Sequence, residues 1–201
     1  MNEEQARIST REEEFSWIRS VLNNDQSAFD KLVRRYQDKV FNLCYRMTGD
    51  HEEARDCAQE TFVRAYRALK DFRFEASFST WILTIAVNIC RNKLKSLEHR
   101  YRRNMLRIGS FLDDTEGSSN IEIEDPAPNA LAQLTKKEQD LMLQKAIDGL
   151  PHDAKIMTVL RDIEGLSYEE IVHITGYNPG TVKSKLARAR EQLRQKLKGL
   201  I

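Results

Sequence analysis

Apolar residues recur every three or four positions through two long blocks of the sequence, and this spacing constrains the fold more than any other feature. In the first block one stripe runs from Ala28 through Leu32 and Tyr36 to Val40. This spacing puts the apolar side chains on one face of a helix. The chain also has only 8 Gly and 4 Pro in 201 residues, which is few for most all-β folds. The sequence therefore predicts an all-α fold.

The distribution of charge divides the chain into segments. From Arg91 to Arg107 there are seven Lys or Arg and one acid, whereas Ile108 to Thr135 contains six acids and no base. The acidic stretch is also rich in Gly, Ser, Asn and Pro, which favours a flexible linker. We therefore predict an N-terminal extension at 1–23, a helical domain at 24–98, a linker at 99–133 and a second helical domain at 134–201. No motif in the extension suggests a function.

Residues that start and end helices stand at the borders of the periodic segments. Asp50 precedes a segment whose first turn is acidic, so its carboxylate is placed to cap a helix. Ser167 and Glu170 have the spacing of a capping box, and Gly176 can adopt the left-handed conformation that ends a helix. Pro179 suits a first helical turn. The second domain thus contains a short helix, a tight turn and a longer helix.

That arrangement, SYEEIVHITGYNPGTVKSKLARARE, has the pattern of a helix-turn-helix. Residues 179–198 contain seven bases and one acid, although the whole chain has a net charge of only +1. Such local charge favours a nucleic acid partner. The candidate contacts on the second helix are Thr181, Lys183, Ser184, Lys185, Ala187 and Arg188. The alternative is an ordinary C-terminal helix with a solvated basic face.

The first domain has two polar helix faces and an aromatic loop. Asp56, Gln59 and Glu60 lie opposite the apolar residues of their helix. Asn88, Arg91, Asn92 and Lys95 recur at i, i+3, i+4 and i+7, which is one face of the next helix. The loop DFRFEASFSTW between these helices carries four aromatic residues, which could stack on unpaired bases or form part of the core.

These segments together resemble one family. DCAQETFVRAYRALKDF and FSTWILTIAVNICRNKLK are followed by an acidic stretch and then by LPHDAKIMTVLRDIEGLSYEEIVHITGYNPGTVKSKLARARE. This order of motifs, over residues 24–198, is similar to that of the extracytoplasmic-function (ECF) sigma factors of bacterial RNA polymerase.

The resemblance implies roles for the first domain, which would be sigma region 2. Asp56, Gln59 and Glu60 would bind the β′ clamp helices of the polymerase core. The promoter minus-ten element would be captured as melted non-template strand near Phe78, Ser79, Thr80 and Trp81, with Phe78 and Trp81 as core residues in the alternative interpretation. The helix face of Asn88, Arg91, Asn92 and Lys95 would meet the DNA just upstream. Many members have Gly where this chain has Phe74.

The resemblance also implies roles for the second domain, which would be sigma region 4. It would contact the β flap of the polymerase and read the minus-thirty-five element as duplex DNA. The positions that match the family's contacts are Arg161, Lys183, Ser184, Ala187 and Arg188. Lys183 and Lys185 stand where relatives often have Arg, and Lys presents a point charge in place of a two-pronged guanidinium.

Three other functions are alternatives to a sigma factor. A helix-turn-helix regulator with a separate sensing domain would leave the asparagine-bearing helix unexplained. An enzyme or metal protein is disfavoured because the four histidines and three cysteines lack paired ligand spacing and no phosphate-binding Gly loop occurs; we expect no catalytic residue, metal or cofactor. A helical adaptor is the third, and the resemblance itself implies an anti-sigma factor, often membrane-bound, as a partner.

Cysteine use and hydropathy bear on the compartment. Three cysteines with no CxxC pair argue against a disulfide framework and fit a reducing environment. The segment MNEEQARISTREEE has no apolar core of a signal peptide, and no run of about 18 apolar residues occurs to span a bilayer. We expect a cytoplasmic protein without direct membrane insertion.

Overall fold

The structure, a computed structural model, describes the backbone of residues 3–107 and 130–198 and the side chains of residues 11–96 and 138–198. Within these ranges the chain forms helices and turns and no strand, which confirms the all-α prediction. The helices are α1 (Glu3–Leu22), α2 (Ser27–Thr48), α3 (His51–Ala68), α4 (Phe78–Arg107), α5 (Ala130–Asp148), α6 (His152–Thr158), α7 (Tyr168–Thr175) and α8 (Pro179–Leu197). A 3₁₀ turn (Leu69–Asp71) follows α3, and a π-helical turn (Val159–Ile163) follows α6.

The first domain is built from α2, α3 and α4, which pack against one another, with α1 lying on α2. Its core contains the apolar stripe of α2 and the inward face of α4, including the fully buried Leu32, Leu43, Phe78 and Ile82. Tyr66 of α3 is 42% exposed. Its ring stands edge-on to Phe29, with centroids 5.0 Å apart, so it covers the rim of the core while remaining in contact with water.

The predicted helix ends are confirmed. The Asp50 carboxylate accepts a hydrogen bond from the Glu53 N–H at 2.8 Å. Ser167 and Glu170 form a capping box, and Gly176 has φ of 72°. These local signals fix where α3 and α7 begin and where α7 turns toward α8.

Two boundaries differ from the prediction. Helix α4 continues to Arg107 and α5 begins at Ala130, so helices extend into both ends of the segment predicted as linker. Residues 108–129, with most of the acidic stretch, lie outside the described residues. The segment read as an N-terminal extension is largely helix α1, whose Ile18 is fully buried against the first domain.

The second domain is built mainly from α6, α7 and α8, and it packs on the first. α7 contacts α4, while α2 contacts both α5 and the π-helical turn. The two domains therefore share one continuous apolar cluster, which includes Met47 of α2 and Ile156 of α6. This packing decides which candidate residues are accessible.

Candidate nucleic-acid interface

The predicted helix-turn-helix is formed by α7, the turn at 176–178 and α8. Asn178 caps α8, because its side-chain oxygen accepts the Thr181 N–H at 2.8 Å, and Pro179 occupies the first helical turn. The inward face of α8 is fixed by three residues with essentially no exposed surface, Val182, Leu186 and Ala189. The orientation of α8 is therefore set by core packing.

The opposite side of α8 is open. Lys183, Ser184, Ala187 and Arg188 are exposed, and Thr181 is half-exposed. These residues lie in the first three turns of the second helix, the part that a helix-turn-helix presents to the major groove. Their exposure on one face fits the predicted role, and their contact with DNA stays a prediction.

Lys185 differs from its neighbours because it is half-buried and paired. Its ammonium lies 2.9 Å from the Asp153 carboxylate, which also accepts the Tyr177 hydroxyl at 2.7 Å. Burial pushes the pKa of Asp153 upward, but the hydrogen bonds from Lys185 and Tyr177 outweigh it and hold that pKa below its usual value. Much of the Lys185 charge is thus compensated within the protein.

An aromatic ring joins two of the predicted cations. The Arg161 guanidinium carbon lies 4.9 Å from the Tyr168 ring centroid, and the Lys183 ammonium lies 5.8 Å from it. Arg161 also donates to the Leu166 carbonyl at 2.6 Å. Tyr168 was not among the predicted site residues, although an aromatic at the first position of α7 was visible in the sequence. It brings Arg161 and α8 together at one edge of the motif.

The aromatic loop contributes more to the core than to a free surface. Phe78 is fully buried, Phe72 is buried and Trp81 is half-buried. The Phe72 ring centroid lies 5.2 Å from that of Trp81. Of the two interpretations left open for Phe78, its burial supports the core, whereas Trp81 still has an accessible part.

The polar face of α4 is formed as expected. Asn88, Asn92 and Lys95 are exposed, and Arg91 is half-buried. Two guanidinium nitrogens of Arg91, Nε and Nη2, are buried without a hydrogen-bond partner among the described residues. The amides of Asn88 and Asn92 and the ammonium of Lys95 are therefore accessible to a ligand, whereas the Arg91 guanidinium is only partly accessible.

Asp56, Gln59 and Glu60 are all exposed on α3. They border a shallow groove between α3 and α4 whose other wall includes Asn92 and Lys93. The Arg64 guanidinium pairs with Glu60 at 2.7 Å, an exposed i,i+4 pair that contributes little to stability. This acidic and amide-rich edge is separate from the basic face of α8.

Contacts between the domains occupy part of the predicted minus-ten site. The Thr80 hydroxyl donates to Glu170 Oε1 at 3.0 Å, and Thr80 is only 4% exposed. The Lys39 ammonium donates to the Ser79 hydroxyl at 3.3 Å and lies 3.9 Å from the Glu164 carboxylate. Burial raises the pKa of Glu164, and Lys39 opposes that shift. In this arrangement the hydroxyl of Thr80 faces α7.

Three cysteines lie in the first domain. Cys44, Cys57 and Cys90 are free and buried. The pKa of the Cys57 thiol is raised by its hydrogen bond with Cys90 and by burial.

In the described ranges no group of three or more His, Cys, Asp or Glu side chains could hold a metal ion. None of the helices in the same ranges is both long and apolar enough to cross a bilayer.

Comparison with known families identifies both domains. Residues 32–100 match the model of sigma-70 region 2, and residues 140–193 match that of sigma-70 region 4. The RNA polymerase sigma-H factor of Pseudomonas aeruginosa is 34% identical over 194 residues, covering 96% of this chain and 97% of the relative. The ECF RNA polymerase sigma-E factor of Escherichia coli K12 is 35% identical over 184 residues, covering 92% and 94%. The chain belongs to the ECF sigma factors of bacterial RNA polymerase.

Solved structures show the same fold. The sigma factor RpoE of Bartonella quintana, in complex with the anti-sigma factor NepR, superposes with a TM-score of 0.61 at 23% identity, covering 85% of this chain and 96% of that one. CnrH, in complex with the cytosolic domain of CnrY, superposes with a TM-score of 0.62 at 20% identity, covering 93% and 98%. The chain thus shares its helical fold with the sigma factor RpoE and with CnrH.

Proposed function

We propose that this protein binds RNA polymerase core and directs it to a set of promoters, reading the minus-thirty-five element as duplex through α8 and holding the minus-ten element as single strand on the first domain. The observation that carries the proposal is the pair of exposed polar faces, on α8 and on α4, in two domains of one chain. The protein itself makes and breaks no bond in this mechanism.

The face of α8 suits duplex DNA. Lysine and arginine contact phosphates or guanine edges, serine and threonine contact phosphates, and the Ala187 methyl group can meet a thymine methyl. Arg188 is the strongest candidate for base reading, because it is exposed and its guanidinium can donate two parallel hydrogen bonds. Lys185 contributes mainly to positioning, since Asp153 already neutralises it.

The face of α4 suits DNA that is already open. Asn88 and Asn92 expose amides that can donate to and accept from base edges or backbone, and Lys95 adds a phosphate contact. Binding extruded bases offsets the unpairing cost of about a few kcal/mol per base. Melted promoter DNA is thereby favoured over closed duplex.

The acidic edge of α3 is the proposed polymerase contact. Asp56, Gln59 and Glu60 present carboxylates and an amide to a basic partner surface, and complementary charge speeds association and fixes register. The β′ clamp helices are the proposed partner of this edge, and the β flap is the proposed partner of the second domain.

Promoter binding requires the two domains to separate. Thr80 contacts Glu170 of α7 in the packed arrangement, so its hydroxyl is unavailable to a base. Polymerase core, by binding the two domains at separate places, would favour the open arrangement. The affinity of the free protein for DNA is then lowered by the fraction of molecules that are closed.

Control by an anti-sigma factor follows from the same packing. The sigma factor RpoE, which shares this fold, was solved with the anti-sigma factor NepR. A partner that favours the closed arrangement would keep Thr80 of the minus-ten site bound to Glu170. We place the protein in the cytoplasm, held at the membrane when its anti-sigma factor is anchored there.

Run-off transcription tests the proposed function. Bacterial core polymerase lacking its own sigma subunit is mixed with this protein and a library of promoter fragments, and transcripts are sequenced. A defined set of promoters should yield transcripts that neither component produces alone. Failure of the protein to associate with core, or association without any initiation, would reject the proposal.

The Arg188→Ala variant should weaken minus-thirty-five recognition by about 1–3 kcal/mol, since a bidentate base contact is lost. The measurement is run-off transcription and holoenzyme binding on promoters with intact or altered upstream elements. Arg194→Ala is the matched control, because Arg194 is an exposed arginine near the end of the same helix. Equal losses in both variants would mean that Arg188 contributes only charge.

The Asp56→Lys variant should reduce association with polymerase core by about tenfold or more, because it places like charges together at the proposed interface. Biolayer interferometry with immobilised core measures the effect. Asp38→Lys makes the same charge change at an exposed site on α2 and should leave binding close to normal. Unchanged binding of Asp56→Lys would remove α3 from the interface.

A further inference from the structure

Helix α1 reaches the loop between α3 and α4, which no sequence motif indicated. The Phe15 ring centroid lies 5.0 Å from that of Phe74, with the rings at 90°, and 6.0 Å from that of Phe72. The Arg19 guanidinium carbon lies 5.8 Å from the Phe74 ring centroid. The N-terminal segment therefore supplies one wall of the site that holds the Phe74 side chain.

The backbone at Phe74 explains why such a site is needed. Its φ is 58°, in the left-handed region that bulky side chains avoid because Cβ approaches the following carbonyl. Glycine adopts this conformation at no such cost. A phenylalanine held there requires contacts that outweigh the strain, and the rings of Phe15 and Phe72 with the Arg19 cation provide them.

The helix that provides these contacts is itself firmly placed. Glu14 is buried, and its carboxylate accepts the Tyr36 hydroxyl of α2 at 2.6 Å. Arg35 of α2 pairs with Glu13 at 2.6 Å, and Ile18 is fully buried. Since α1 is fixed on α2, the position of Phe15 is fixed relative to the domain core, and Phe74 is held from outside its own loop.

The loop continues directly into the proposed minus-ten site. Three residues after Phe74, Ser77 caps α4 by accepting the Thr80 N–H at 3.0 Å. Phe72, which contacts both Phe15 and Phe74, also packs against Trp81. The conformation of Phe74 thus sets the path of the backbone that leads into Ser79, Thr80 and Trp81.

We propose that Phe15 and Arg19 are positioning residues for minus-ten recognition: by holding Phe74 in the left-handed conformation, α1 sets the shape of the loop beside the captured base and so the base that is preferred. This inference rests on the proposed function. It assigns a role to a segment outside both matched family regions.

The test uses the full-length protein in holoenzyme with core polymerase. The probe is promoter DNA with a mismatched bubble whose unpaired non-template minus-ten bases are randomised, and bound sequences are counted by sequencing. Phe15→Ala should lower the preference for the favoured base at one or two positions by about threefold to tenfold, while other positions change little. In the Phe74→Gly background the same substitution should have almost no further effect, because glycine needs no support.

The controls separate positioning from folding. Trp17→Ala removes a ring of α1 that lies over Arg35, 4.3 Å from its guanidinium carbon, so it should lower thermal stability and leave base preference unchanged. Phe15→Leu keeps an apolar side chain and should shift the preference less than Phe15→Ala. Unchanged preference in both Phe15 variants, or an equal change in Trp17→Ala, would overturn the inference. Absence of any selection by the wild-type holoenzyme would contradict the proposed function itself.

Discussion

The Phe78→Ala variant is expected to lose about 3–5 kcal/mol of the free energy of unfolding. The Phe78 ring is 0% exposed, and its centroid lies 5.3 Å from that of Tyr36 and 5.6 Å from that of Trp81. Truncation removes the apolar contacts of the ring and leaves a cavity that α2 and α4 can fill only in part. Urea unfolding followed by circular dichroism should show a lower midpoint with little change in slope.

This variant separates the two interpretations of Phe78. If the ring belongs to the core, Phe78→Leu should lose less free energy of unfolding than Phe78→Ala. Both variants should then lower stability while base preference changes little. A ring that reads DNA predicts the reverse, with minus-ten binding lost at nearly normal stability. That result would place Phe78 in the recognition site, and would require the loop to rearrange when DNA binds.

The features that were predictable from the sequence depend on neighbours along the chain. The Asp50 cap joins residues three apart, and so does the capping box of α7. The exposed faces of α3 and α4 follow from helical periodicity alone. Because each of these requires only local geometry, residue type and spacing were sufficient to place them.

The features that were missed join residues far apart in sequence. Phe15 meets Phe74 across 59 positions (74 − 15), and Thr80 meets Glu170 across 90. Glu170 shows why spacing does not reveal such contacts: Oε2 serves the capping box, as predicted, while Oε1 is free to bind a residue of the other domain. The capping-box motif predicts the hydrogen bond to Oε2 but does not predict the partner of Oε1.

The loop that holds Phe74 also depends on residues far away in the sequence. Resemblance to the family marks Phe74 as a departure from glycine, and the structure shows that the departure lies in backbone of positive φ. The contacts that offset this backbone strain come from α1, which contains no recognised motif. The unusual residue at position 74 is therefore visible in the sequence, whereas the contacts that stabilise it are visible only in the fold.

A buried cation lies at the contact between the two domains. Lys155 of α6 is 8% exposed, and its ammonium donates to the Met47 carbonyl at 3.3 Å and to the Asp148 carboxylate at 2.7 Å. Met47 lies in the last turn of α2, where carbonyl groups lack helical partners and the helix dipole favours a positive charge. Arg46 adds hydrogen bonds to α5, through Asp140 and Gln144.

The Lys155→Met variant should therefore open the domain pair. Methionine keeps most of the apolar stem but removes the donor, at an expected cost of about 1–3 kcal/mol; this is less than for a fully buried pair because Asp148 is 39% exposed. Small-angle scattering should show a larger radius of gyration. Because Thr80 is then released from Glu170, the affinity for single-stranded minus-ten DNA should also rise, by up to about tenfold for each 1.4 kcal/mol by which closure of the domains is weakened.

Lys145→Met, at an exposed lysine of α5, is the control and should leave the radius of gyration and the DNA affinity unchanged. An unchanged radius of gyration in Lys155→Met would show that other contacts hold the domains together, and a larger radius without tighter DNA binding would show that closure does not mask the minus-ten site.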